Sequence, residues 1–173
     1  MNRNDFRTSL PADATAVRDG EQWTLVFVRA LQHPPENVWR ALTDPDELRA
    51  WSPFDTDRAL DAPGEATLST VGADEHSAAT IRRADAPRLL EYNWDTDVLR
   101  WELEPIENGT RLTLRHTMSD RSWLAKVAAG WHICLDVLDR HLAGDPVGRI
   151  VGADAKEYWT PLNEHYSRTL GVA

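Results

Sequence analysis

The segment Arg121 to Leu142, RSWLAKVAAGWHICLDVLDRHL, carries the one long uninterrupted helical pattern in the chain, so whatever precedes it must pack against it. Its apolar residues Leu124, Val127, Ala128, Trp131, Leu135, Val137, Leu138 and Leu142 recur at three- and four-residue steps, while Lys126, His132, Asp136, Asp139 and Arg140 gather on what reads as a wet face. Ser119 and Asp120 offer side-chain oxygens to the first amides, and Gly144 followed by Pro146 stops the helix. Gly130, in the middle, costs about 1 kcal/mol relative to alanine, which implies that a sheet or a ligand approaches the backbone there.

What lies upstream reads mostly as strands. Asp19-Gly20 is a hairpin signal between Ala14–Arg18 and Glu21–Leu31. Pro34-Pro35-Glu36 starts one short helix with Val38, Trp39 and Leu42 inside, and Asp44-Pro45-Asp46-Glu47 starts a second, with Asp44 as cap and Glu47 reaching back. Frequent punctuation then favours antiparallel strands at Ala66–Val71, Ser77–Ala84, Leu89–Trp94, Val98–Pro105 and Thr110–Met118. The last two alternate cleanly about an Asn108-Gly109 turn: Leu99, Trp101 and Leu103 share one face, and Leu112, Leu114, His116 and Met118 share another. An antiparallel sheet with one apolar face needs a cover, and the long helix is the only element large enough. Residues 1–13 are expected to be disordered or frayed, 14–145 to form the domain, and 146–173 to add a loop and a short helix broken at Pro161.

Composition bounds the partners. A chain of 173 residues, 42% apolar, makes one domain with a sizeable core. A net charge of -9 argues against a nucleic-acid backbone or an anionic membrane as partner. The single Cys134 forms no internal disulfide, and no signal peptide or membrane-inserting run is read, so a reducing, cytoplasmic setting is the expectation. Eight Trp residues, each able to bury on the order of 150 to 250 Å², belong to a core or a cavity wall.

A hairpin, two short helices, an antiparallel run and one long C-terminal helix resembles the helix-grip fold, also called START-like or Bet v 1-like. The fold class is therefore α+β, a curved antiparallel sheet wrapped around the long helix. LQHPPENVWRALTDPDELRAW (Leu31 to Trp51) is similar to the segment of the activator of Hsp90 ATPase family in which V-W-x-A-L-T-D-P precedes a Trp. RLLEYNW (Arg88 to Trp94), ENGTRLTLRHTM (Glu107 to Met118) and AGWHICLDVLDRHL (Ala129 to Leu142) are similar to that family's later blocks, in the same order. The resemblance implies a hydrophobic cavity between sheet and helix. It also places the chain in a superfamily of lipid carriers, polyketide aromatases and cyclases, and a co-chaperone module, so it implies no single activity.

Under that arrangement Val127, Trp131, Cys134 and Leu138 are expected to look inward, opposite Trp51, Phe54, Trp94, Trp101, His116 and Met118. Flat rings bury ligand area and an imidazole or indole N–H orients it, whereas the plain alternative is that the rings fill the core. His116 holds an apolar strand position, where an unpaired imidazole costs on the order of a few kcal/mol, so it needs a partner: a ligand, water, Tyr92 or a backbone carbonyl. Cys134 reads as a small hydrophobe more than a nucleophile. His132 and Asp136 have one-turn metal spacing but no third ligand, and Asp55, Asp57 and Asp61 fail as a calcium loop because Ala59 and Leu60 stand where oxygen and glycine are needed. No metal or cofactor is expected, and no nucleotide-loop or hydrolase motif is present. Three functions remain: a binder of an apolar or aromatic small molecule, an enzyme of cyclase or hydrolase type using His116, and a module that modulates an Hsp90-type chaperone. The chain would act as a monomer or homodimer.

Overall fold

The computed structural model describes residues 3–172. An antiparallel hairpin, β1 (Asp13–Asp19) and β2 (Gln22–Leu31), leads to α1 (Pro35–Thr43) and α2 (Pro45–Trp51). Then come β3 (Phe54–Thr56), β4 (Gly64–Thr70), β5 (His76–Asp85), β6 (Leu89–Trp94), β7 (Asp97–Ile106) and β8 (Gly109–Met118). A short 3-10 turn introduces α3 (Leu124–Leu142), and α4 (Lys156–Thr169) follows after a loop. One curved sheet runs β1-β2-β8-β7-β6-β5-β4-β3, antiparallel throughout. Only the β2–β8 pairing joins strands that are not consecutive, and it brings the opening hairpin beside the strand that leads into α3.

Local sequence accounts for most of this. Asp44 caps α2, its carboxylate accepting from the amides of Asp46 at 2.8 Å and Glu47 at 3.2 Å, with Pro45 in the first turn. Glu47 does not reach back as a capping box would; its carboxylate holds Arg40 and His141, tying α2 to the end of α3. At the β7–β8 turn Asn108 takes a positive φ of 63°. A Cβ on Gly109 would lie 2.0 Å from the Leu31 carbonyl oxygen, so β2 can run beside the turn only because that residue is glycine. Leu112, Leu114, His116 and Met118 alternate inward as their pattern demands. Asp120 accepts the Ser122 amide at the start of the 3-10 turn that leads into α3, and Gly144, at φ 76°, follows the end of the helix.

Three expectations are corrected. Of the segment 1–13 expected to fray, residues 1 and 2 lie outside the described residues. In the rest, Phe6 is buried edge-on to Tyr158, and Ser9 and Ala12 hydrogen-bond into the interior. The helix at 146–173 is not broken: α4 runs through Pro161, whose missing N–H falls opposite the carbonyl of exposed Glu157, where water can take its place. The strand β3 has no counterpart in the sequence reading, because three residues carry no period.

The third concerns the supposed wet face of α3. His132 is fully buried and Asp136 nearly so, because α4 and the N-terminal segment cover that side. The Asp136 carboxylate accepts from Arg29 at 2.6 Å and from the Ser9 hydroxyl and amide at 2.7 and 2.8 Å, and lies 3.2 Å from His132 Nε2. His132 Nδ1 meets the Tyr166 hydroxyl at 2.8 Å, and that hydroxyl accepts the Ala12 amide. A pair that looked solvated is the hub joining β2, α3, α4 and the N-terminus.

Burial by itself would raise the Asp136 carboxyl. The hydrogen bond from His132, the Arg29 charge and Ser9 outweigh it and bring the group down to about 2. The unfolded value is higher, about 3.9, so the folded state gains about 2 to 3 kcal/mol that is whole above about pH 5 and fades as the pH falls through 2. Asp136→Asn is expected to cost roughly 3 kcal/mol at neutral pH, since it strands Arg29. In urea titrations the gap from wild type should close as the pH drops below 4; a gap independent of pH would remove the carboxylate from this role.

Candidate functional site

Between the concave sheet, α3 and the segment entering α4 lies a cavity of about 580 Å³. Its sheet side is Thr70 and Val71 at the end of β4, Trp94 at the end of β6 and His116 on β8, with Pro53 nearby. Its helix side is Val127, Gly130, Trp131, Ile133 and Cys134. The remaining wall is the segment after α3: Ile150, Val151, Gly152, Ala153, Ala155, Lys156 and Trp159. That strap is fastened by Arg149, which donates to the carbonyls of Leu48 and Phe54 and to Asp55 at 2.5 Å.

Aromatic packing shapes the floor. Trp131 stands perpendicular to Trp101 with ring centres 5.3 Å apart, and Trp101 is in turn perpendicular to Trp51 at 6.2 Å. Trp94 meets Trp131 at 6.3 Å and Phe54 at 5.0 Å. Indole donors are mostly spent inside the protein: Trp51 on the Ala41 carbonyl, Trp101 on the Tyr92 hydroxyl, Trp159 on the Lys126 carbonyl and Trp131 on His116. Among the described residues Trp94 alone of these five has no such acceptor, which leaves its N–H for a bound molecule or water.

His116 is satisfied by partners the sequence did not suggest. Its Nδ1 accepts the Trp131 indole N–H at 3.0 Å, so the ring hydrogen sits on Nε2 and is donated to Asp97 at 2.7 Å. Asp97 is on β7, diagonally opposite on the same face, because Leu99 is the direct partner of His116. The chain Asp97–His116–Trp131 bolts α3 to the sheet and leaves neither imidazole nitrogen free. Tyr92 takes no part: it accepts from Trp101, and burial pushes its phenol up.

Of the ten residues expected to line a site, Trp94, His116, Val127, Trp131 and Cys134 border the cavity. Trp51, Phe54, Trp101 and Leu138 do not; they are buried in the core behind it, the first three as its aromatic backing. Met118 borders a separate hollow with Asp97 and Trp123. Sequence reasoning missed the strap, whose residues 150–155 show no periodicity, and it missed Thr70 and Val71. Gly130 did carry a signal. No atom lies within 4 Å of where its Cβ would be, so what the missing side chain leaves is open cavity, not a close sheet.

The chain has relatives in sequence and in structure. The family model for activator of Hsp90 ATPase homolog 1-like protein matches residues 32–143, ending before the strap. No curated protein matches the sequence. Among solved structures, a conserved protein of unknown function from Enterococcus faecalis, EF2215, is 20% identical over 92% of both chains with a TM-score of 0.72. CalU16 from Micromonospora echinospora is 19% identical over 91% of this chain and 95% of its own, with a TM-score of 0.68. An AHSA1-like protein from Aeromonas hydrophila is 21% identical over 70% of this chain and 92% of its own, with a TM-score of 0.58. At such identities these likenesses establish the shared fold.

Cys134 is the one thiol at the cavity. Burial pushes its thiol up to about 12, so at neutral pH it is a protonated, apolar group. A disulfide exchange reagent at pH 8 should find almost no reactive thiol in the native protein and one per chain after unfolding. Rapid native labelling would show an open and ionised site instead.

Proposed function

Because this chain belongs to the activator of Hsp90 ATPase homolog 1-like family, whose match spans residues 32–143, we propose that it uses the family's helix-grip fold to bind a small apolar or aromatic molecule. One observation carries the reading: a cavity of about 580 Å³ whose walls are Trp94, Trp131 and Trp159 with Val71, Val127, Ile133 and Ile150. That size falls within the range of small-molecule sites, and apolar walls with few polar atoms are what such ligands require. A carrier, sensor or sequestering role follows more directly than catalysis. Acid/base work by His116 would need a free ring nitrogen and a second acid–base group beside it, yet Trp131 and Asp97 occupy the ring. Among the described residues no Asp or Glu lines the space, whose other titratable groups are the Cys134 thiol, held protonated by burial, and exposed Lys156.

Native mass spectrometry of protein purified gently from its own host, with extraction of anything bound, tests this reading. A discrete apolar compound in stoichiometric amount is the expected result. Gly130→Leu provides an independent check, since its side chain would enter the open space. This variant should keep its helical circular dichroism and lose quenching of tryptophan fluorescence by apolar probes at least tenfold in apparent affinity, about 1.4 kcal/mol. Unchanged quenching would place the probe elsewhere. The family match also favours a second reading, contact with an Hsp90-type chaperone, for which pull-down with the host's homologue at low salt is the test.

A further inference from the structure

The lining of the cavity is unlike the rest of the molecule in charge. The chain carries 28 acidic residues against 19 basic ones, and only two of the basic residues are lysines. None of the acids borders the cavity, and one of the two lysines, Lys156, does. Lys156 is exposed in the first turn of α4, where the strap ends, and it borders both the cavity and a neighbouring polar hollow, so the mouth of the cavity is within reach of its ammonium group. Among the described residues it forms no ion pair. Of the acids beside it in sequence, Asp154 is held by Arg3 at 2.7 Å, and Glu157 lies on a separate polar hollow that Arg3 and Arg7 also line. The other cation near the cavity, Arg149 behind Cys134, is neutralised by Asp55.

Building on the small-molecule reading, we propose that the ligand is an amphiphilic acid: an aromatic or apolar body held against Trp94 and Trp131, and an anionic head, such as a carboxylate, met by Lys156 at the opening. An all-apolar interior would accept a neutral body of the same shape. Charge at the mouth then sorts ligands by head group. A cation finds no acid on the lining, among the described residues, to replace the water it sheds, and a neutral head gains nothing from an ammonium. The anion gains a partner, and the apolar walls keep the rest of the molecule from reorienting.

Calorimetric titration of the full chain with 2-naphthylacetate, 2-naphthylethanol and 2-naphthylethylammonium, one ring system with three heads, tests the assignment. At low salt the acid should bind about fivefold more tightly than the alcohol, and the amine more weakly than either, with the difference shrinking at high salt. Lys156→Gln should bring acid and alcohol level, and Lys156→Arg should keep the preference. Lys126→Gln, which alters the chain's other lysine, stacked on Trp123 away from the cavity, should also keep it. An alcohol that binds as well as the acid to the wild type, or a preference that survives Lys156→Gln, overturns the head-group assignment while the cavity reading stands. Failure of all three to bind overturns both.

Discussion

The concave face of the sheet cannot be left in water, and covering it is the constraint from which the other features follow. Leu25, Phe27, Leu99, Trp101, Leu112 and Leu114 all lie on that face with almost no exposure. Each contributes roughly 1.5 to 3 kcal/mol when removed from solvent. α3 supplies the cover, and the Asp97–His116–Trp131 chain fixes where it sits. An apolar contact alone would let the helix slide, whereas a donor and an acceptor with defined directions do not. His116 is thereby a polar residue whose cost of burial is offset by two hydrogen bonds and whose return is orientation.

Covering the sheet creates a second problem. Over residues 131–138 a helix laid between a sheet and another helix has no face left for solvent, so the polar residues there must be paired inside the protein. His132 and Asp136 meet that demand through Ser9, Arg29 and Tyr166, drawing in three parts of the chain remote in sequence. The cavity has a related origin. Trp131 leans onto Trp101 and His116 while its neighbour Gly130 and the small Cys134 leave volume unfilled. The strap pinned by Arg149 turns that gap from an open groove into a walled site.

How much of this was legible depended on the range of the interaction concerned. The helices α1 and α2, the β7–β8 hairpin and the limits of α3 rest on contacts within a few residues, and Asp44, Asn108-Gly109 and Gly144 announced them. The blocks from Leu31 to Leu142 announced the fold. Burial of His132 was illegible because a helical wheel distinguishes one face from another but does not say how many faces are covered. Trp51, Phe54 and Trp101 lie behind the cavity for a similar reason: an apolar ring in the sequence says that it turns inward, not whether the inside it meets is filled or hollow.

What the sequence determined by itself is therefore the set of elements and their apolar sides, since these follow from period, caps and turns, all of which are local. It also determined that His116 needed a partner, because an imidazole at an apolar position must be satisfied. Only the tertiary structure decided that the partners were Asp97 and Trp131, that five of the ten expected residues border the cavity, and that an aperiodic strap leading to Lys156 forms one of its walls. Those outcomes depend on where side chains from distant segments meet, and on where they fail to meet and leave space.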